Sequence, residues 1–463
     1  MQRPEQPQPK GAACDLRAAL GSAAAVTGSK VLVKQGFTPD QACSDFATHH
    51  AGMPAKARWE DEPAVIYQQE GRADLLLGLY GSEHRLQAWC PALREGVLPR
   101  AVEALTPIAP VTTTVQHEVW DQVALGRLPI PQSSPRDAGA YVTMGFVMAG
   151  KSGADLALSA HRMLVLDDQH LGISMLSSRH LRRMAQAAWA RGEDLPVSIN
   201  IGVPPSVAIA SATATTHLPA GMDKLSLAGG LAQAPIEISQ GPSPYLSQSE
   251  FVLQGRLTAE SCAETLGQRP TGVTMPEFLG YDGHAGAPLQ VLRVTSISQR
   301  PGALFQATLG PGREQSAILG LGGALALSLA LKQQGGLEPI SDLRFSPAGG
   351  GMLLLFVALR SGAGEALDKA ALARRLIDVM PFTKTVIFVD QDVELGNEAD
   401  VFWALTTRCN LGGDAHLLPG FAPLRMDPSQ GPEWAAAGRG AACRTWVDAT
   451  VPQTELEAAR RSF

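Results

Sequence analysis

The feature that most constrains this chain is a series of short β-rich runs separated by turn residues: "RMLVLDDQ", "LGISML", "PVSINIGVP", "EFVLQGRL" and "LQVLRVTSIS". The last two partly alternate apolar and polar residues, as half-buried antiparallel strands do. One helical stretch, "SRHLRRMAQAAWARG", interrupts the series and sets Leu181, Met184, Ala185 and Ala188 on one face. The pattern predicts a β-barrel or sandwich over residues 106–300.

The texture differs on both sides. Residues 15–105 mix helical patterns ("DLRAALGSAAAV", "PDQACSDFATHH") with strand-like runs ("PAVIYQQ", "ADLLLGLYG"), which predicts a small α/β unit. Beyond residue 300, an apolar helix from Ala317, an amphipathic helix "ALDKAALARRLIDVM", a buried strand "TKTVIFVDQDV" and a helix "EADVFWALTTRC" alternate as in an α/β domain. A chain of 463 residues exceeds what one core supports. The expectation is an α/β (α+β) protein with a polar, proline-rich disordered tail at 1–14 and domains at 15–105, 106–300 and 301–463.

Charge and motifs exclude several classes. A net charge of -6 leaves no footprint for nucleic acid or an anionic membrane. The 15-residue apolar run "AILGLGGALALSLAL" is short for a membrane span and contains glycines, so it reads as a buried helix. Six scattered cysteines without a CxxC pair fit reduced thiols in cytoplasm, and the N-terminus does not resemble a signal peptide. "HEVWD" has Asp121 where a zinc-protease helix needs its second histidine. "GLGGAL" lacks dinucleotide spacing and reads as helix packing, and neither a nucleophile elbow nor a Walker lysine loop is present.

The stretch "MPEFLGYDGHAG" places Glu277 and Asp282 five residues apart. That spacing is neither a helical face nor one face of a strand, so alone it is compatible with two solvated carboxylates on a turn. Its surroundings alter the reading. "LPIPQSSPRDAGAYVTMGFVMAG", "LALSAHRMLVLDDQHLGISMLSSRH", "LPAGMDKLSLAGGLAQAPIEI", "EFVLQGRLTAE", this stretch and "LQVLRVTSISQR" follow one another in order. Together with "LGLYGSEHRLQ", "MPFTKTVIFVDQDVELGNEADVFWALTTR" and "WVDAT", the series resembles the UbiD family of reversible decarboxylases, which use prenylated flavin mononucleotide (FMN).

The resemblance implies a three-domain protomer with a central split β-barrel that binds the flavin and a C-terminal domain that dimerises. Homodimers or homohexamers are implied, with a flavin prenyltransferase supplying the cofactor and a small carboxylic acid as substrate. It places a catalytic arginine at Arg162 and acids at Glu277 and Asp282. Arg162 would hold the substrate carboxylate, Glu277 would pair with the arginine, and Asp282 would deliver the proton. It assigns cofactor contacts to His161, Arg162, Met163, His180, Glu237 and Arg444. It also implies Mn2+, with K+ as a companion ion, bridging the flavin phosphate through His180 and Glu237.

This chain departs from that pattern at three positions. Ala157 stands where the family has a metal-binding asparagine, Gln240 where it has a lysine, and Arg444 where it has another lysine. Asp155 and Ser159 lie close enough in sequence to compensate. The departures leave open a non-catalytic or regulatory subunit of the same fold, and a protein using unmodified FMN.

Overall fold

Helix α1 (Leu16–Thr27) begins where the Asp15 carboxylate accepts the Ala18 N–H, and it ends on the left-handed Gly28. Strand β1 (Leu32–Lys34), helix α2 (Pro39–His49), strands β2 (Val65–Tyr67) and β3 (Asp74–Leu77), and helices α3 (Glu83–Trp89) and α4 (Leu98–Ala104) follow. Helices and strands are mixed over this stretch. The computed structural model describes residues 14–28, 30–50, 62–94, 98–135, 137–151, 155–175, 180–214, 216, 218–264, 273–274, 283–284, 288–310, 312–362, 367–422, 424, 442–455 and 459.

The middle region opens with strands β4 (Val111–Thr112), β5 (Glu118–Val119), β6 (Tyr141–Ala149), β7 (Ala157–Val165) and β8 (His170–Ile173). Helix α5 (His180–Trp189), strand β9 (Leu195–Ile201) and helices α6 (Pro205–Ala212) and α7 (Lys224–Ala232) come next. Strands β10 (Glu237–Ser239), β11 (Tyr245–Leu246), β12 (Phe251–Cys262), β13 (Val273–Thr274), β14 (Gly283–His284) and β15 (Leu289–Gln299) complete it. The antiparallel order β12-β9-β6-β7-β8-β15 closes on itself through a β12–β15 ladder, so the region is a six-stranded barrel and not a sandwich. Register shifts in that ladder, at Gln254/Gly255 and Leu257/Ser261, supply the bending that closure needs. Val147, Met163, Ile199, Leu253 and Leu292 fill the core on one side of the barrel wall. Phe146 and Leu158 face the other way, into a core shared with α6, α7 and the helix that follows the barrel.

The chain then crosses back. Strand β16 (Leu304–Gln306) pairs in parallel with β3, giving the N-terminal sheet the order β1-β2-β3-β16. Residues 304–306 follow the expected boundary at 300 and pair with a strand that precedes it. Leu75, Leu76 and Leu77 of β3 are fully buried, and without β16 that strand would be an open apolar edge.

Helix α8 (Arg313–Gln334) has 22 residues and is apolar enough to cross a membrane by length, yet 89% of its most apolar window is buried within the protein. A Cβ at Gly322 would lie 2.5 Å from the Ala212 Cβ, which confirms that the glycines of this run allow close helix packing. In its first turn, Glu314 accepts the N–H groups of Gly78 (3.2 Å) and Tyr80 (2.8 Å). Burial pushes its carboxyl up to about 7, against the opposing effect of those two hydrogen bonds. Strands β17 (Ile340–Phe345) and β18 (Leu354–Leu359), helix α9 (Lys369–Val379), strand β19 (Thr385–Asp390), helices α10 (Glu398–Thr407) and α11 (Leu411–Asp414), and strands β20 (Ala415–Phe421) and β21 (Ala442–Ala449) end the fold. Their sheet runs β17-β18-β19-β21-β20 with β18, β19 and β21 parallel, as an α/β domain requires.

Candidate active site

Strand β7 carries the first candidate. Side chains alternate along it, so Ala157, Ser159, His161 and Met163 share one face and Leu158, Ala160, Arg162 and Leu164 the other. On the second face Leu158 is buried, whereas Ala160 is open to solvent and Arg162 is partly open. A small exposed residue between two larger ones, in a strand otherwise largely buried, leaves a shallow floor beside the guanidinium. Phe146 lies directly opposite Ala160 on β6. The register shift between Val142 and Gly145 sets Thr143 and Met144 near Arg162, and Thr143 Oγ1 accepts the Thr308 N–H at 3.0 Å.

Arg162 is held rigidly. Its Nε and Nη2 donate to the two carboxylate oxygens of Glu264, each at 3.0 Å, in a bidentate fork. Glu264 is only 4% exposed and also accepts the Tyr141 hydroxyl at 3.3 Å. Burial and the Glu264 charge both push the Tyr141 phenol above its usual pKa. The sequence reading missed Glu264, which sits two residues after β12 in "TAESCAE". Its signal was an acid placed just beyond a long strand adjacent to the recognised landmarks.

The acids Glu277 and Asp282 lie outside the described residues. What is described is their frame: β13 and β14 pair antiparallel, Val273 with His284 and Thr274 with Gly283, on either side of segment 275–282. The other predicted contacts separate into three places. His161 faces the barrel side together with Met163, away from Arg162. Its Nδ1 donates to the Ser174 carbonyl (2.9 Å), so Nε2 is the acceptor of the Ser159 hydroxyl (2.8 Å). Because of this alternation, a ligand on the Arg162 face would meet only the backbone of His161 and Met163. Arg444 lies in the C-terminal sheet, where it donates to the Ala422 carbonyl (2.8 Å) and lies over Phe421.

The implied metal ligands start two different elements, and no contact between them is described. Glu237 starts β10 and accepts from Gln248 at 2.9 Å. His180 starts α5, and the charges that act on it are those of Arg183, Lys224 and Asp155. Among the described residues no three His, Cys, Asp or Glu side chains converge to hold a metal ion. Ala157 contributes only a buried methyl where an oxygen donor was expected. The described residues around His180 therefore do not fit a manganese site. For a flavin the fit is better. Besides the open floor at Ala160, the Ser206 hydroxyl at the start of α6 and both polar atoms of the Gln306 side chain are buried without a hydrogen-bond partner, a state that bound ligands or water usually relieve.

Comparison with known proteins places the chain among decarboxylases. Residues 106–314 match the 3-octaprenyl-4-hydroxybenzoate carboxy-lyase Rift-related domain, and residues 317–449 match the C-terminal domain of the same family. Gallate decarboxylase of Lactiplantibacillus plantarum is 29% identical over 430 residues, covering 87% of this chain and 86% of the relative. The apo structure of a 3,4-dihydroxybenzoic acid decarboxylase from Enterobacter cloacae superposes with a TM-score of 0.82 at 26% identity, covering 97% and 96% of the two chains. An evolved dimeric form of HmfF from Pelotomaculum thermopropionicum, solved with prenylated FMN, shares the fold at a TM-score of 0.77 and 21% identity, over 97% of each chain.

Proposed function

Because the chain belongs to the UbiD family of carboxy-lyases, we propose that it catalyses the non-oxidative, reversible decarboxylation of an aromatic, heteroaromatic or α,β-unsaturated carboxylic acid with prenylated FMN. The observation that carries this reading is Arg162, fixed by Glu264 beside the open floor at Ala160. A guanidinium presents two donor edges; Glu264 takes the Nε edge, and the Nη1–Nη2 edge is the one a substrate carboxylate would meet.

When bound, the prenylated flavin supplies the sink for the electron pair that departing CO2 leaves behind. The residues of this chain do the rest. Arg162 orients the carboxylate so that its bond to carbon can break. Asp282 then delivers a proton to that carbon, in the position CO2 vacated, and recovers one from solvent before the next turnover. Glu277 helps to balance the arginine charge. Two carboxylates near one cation titrate as a coupled set, so one of them can hold a proton near neutral pH. No step is assigned to manganese or potassium.

Hydroxylated benzoic acids are the first substrates to try, since the gallate and 3,4-dihydroxybenzoic acid enzymes are among the relatives. Protein co-expressed with a flavin prenyltransferase should release CO2 from one of these acids, or exchange hydrogen for deuterium at the carbon that bears the carboxylate. If neither occurs with benzoic, heteroaromatic or cinnamic-type acids, the reading fails. Exposed Phe402, Leu411 and Leu417 on the C-terminal domain support a homodimer or homohexamer, which size-exclusion chromatography with light scattering would test. All six cysteines are free thiols, which supports a cytoplasmic location.

A further inference from the structure

Tyr141 opens β6 directly opposite Leu164 on β7, so its side chain stands on the same side of the barrel wall as Arg162. The ring is 1% exposed and packs with Ala138, Leu164 and Leu289. Cys262, at the end of β12, pairs with Leu289 on β15 and packs against the same cluster. Glu264 follows two residues later and thus arrives beside an apolar wall that carries the Tyr141 hydroxyl. Burial first, and then the Glu264 charge, raise the pKa of the phenol, so it keeps its proton at neutral pH and donates.

The donors to Glu264 are unequal. Oε1 accepts Arg162 Nε at 3.0 Å and the Tyr141 hydroxyl at 3.3 Å, while Oε2 accepts Arg162 Nη2 at 3.0 Å. The guanidinium bonds have ordinary lengths, and the phenol bond is long for O–H···O. The Arg162 side chain is 20% exposed and that of Glu264 3%, so the carboxylate lies behind the guanidinium. A substrate carboxylate that engages Arg162 competes with Glu264 for one cation. Weakened guanidinium bonds would leave part of the buried Glu264 charge uncompensated, which is costly where water is excluded. The phenol supplies the missing donation by closing about 0.5 Å, to the usual O–H···O length.

We propose that Tyr141 is a positioning residue for substrate binding: acting through Glu264, it takes up the charge that Arg162 releases when a substrate carboxylate binds. The inference rests on the function proposed above and deepens it by a residue that does not touch the substrate.

The test separates binding from turnover. Protein purified without cofactor does not turn an acid over, so titration calorimetry reads binding alone. The probes are 3,4-dihydroxybenzoate and catechol, the same ring without the carboxylate. Tyr141→Phe keeps the ring and loses only the hydroxyl. It should weaken the acid about tenfold, the weight of one hydrogen bond to a charged group, and leave catechol unchanged. In a Glu264→Gln background the same change should have no effect on the acid, because the hydroxyl acts through Glu264. In the cofactor-loaded protein, Tyr141→Phe should raise KM about tenfold and leave kcat within about twofold. Equal weakening of acid and catechol overturns the inference, as does a loss that persists beside Glu264→Gln. Should Tyr141→Phe fold poorly, 3-fluorotyrosine at position 141 provides a stronger donor of nearly the same shape. It should tighten the acid, and an unchanged affinity overturns the inference. CO2 release with an unchanged KM in Tyr141→Phe overturns it while the proposed function stands. If wild type neither turns an acid over nor prefers the acid to catechol, both fall.

Discussion

Two regions of the molecule, at Arg162 on β7 and at His180 on α5, handle charge differently. At Arg162 a cation is met by a buried carboxylate in a bidentate fork, with a phenol as third member. At the start of α5, the charges that act on the His180 imidazole are of both signs, Arg183 and Lys224 against Asp155. The first region holds its charges in balance and in fixed geometry, as a site must when charge moves during reaction. The second mixes two cations and a carboxylate around one imidazole, without a bidentate fork among its described contacts. The contrast teaches that a bidentate fork fixes Arg162 in place, whereas the surroundings of His180 carry charges of both signs.

Four experiments would break or sharpen that contrast. Asp282→Asn should lower kcat by ~10³-fold, the loss expected when a general acid is removed, with little change in thermal midpoint. CO2 release from the cofactor-loaded protein measures it, and full activity would remove Asp282 from the mechanism. Arg162→Lys keeps the charge and loses the planar fork. It should cost about 10²-fold in kcat/KM, and a small effect would mean that charge alone suffices at this end.

Glu264→Gln tests the balance directly. It replaces a 4% exposed carboxylate that serves both Arg162 and Tyr141, and should destabilise the protein by about 2–3 kcal/mol in urea unfolding. A stability equal to wild type would show that the fork is not a structural clamp. Glu314→Gln supplies the control from a third place. Its carboxyl is raised to about 7 in the fold, against an ordinary value near 4.3 when unfolded. The native state therefore binds the proton more tightly. The stability this adds is complete below about pH 4 and is lost as pH rises through about 7. Wild type should lose on the order of 2 kcal/mol between pH 5 and pH 8 from this group, and Glu314→Gln should show a flatter profile. If the slopes match, the neutral-pH titration belongs to another group, and pH profiles of activity must be reassigned.

Much of this was legible in the sequence. The barrel strands announced themselves by alternation, and "RMLVLDDQ" put Arg162 on one of them. The glycines at 320–323 were read as helix packing, and Gly322 proves to be that. Two features were not found. Glu264 lies between recognised landmarks, and its link to Arg162 spans 102 residues, a distance no local pattern encodes. A lysine such as Lys224 ordinarily reads as solvated. The signal that could have found it is the run after it, "LSLAGGLA", which has no charged residue: a helix without a polar face belongs inside, and so does the lysine at its start.

The return of β16 to the N-terminal sheet has a consequence for synthesis. Strand β3 gains its parallel partner only when Leu304–Gln306 has emerged from the ribosome, some 230 residues after β3 itself. Until then the first unit exposes an apolar edge, and the whole barrel is made while that edge waits. The N-terminal unit is thus not a piece that can be finished early or excised whole. Its completion is deferred to the same stretch of chain that delivers Glu314 to Gly78 and Tyr80. Truncation before residue 304 leaves an adhesive intermediate, and the order of translation sets how long that edge stays open to aggregation.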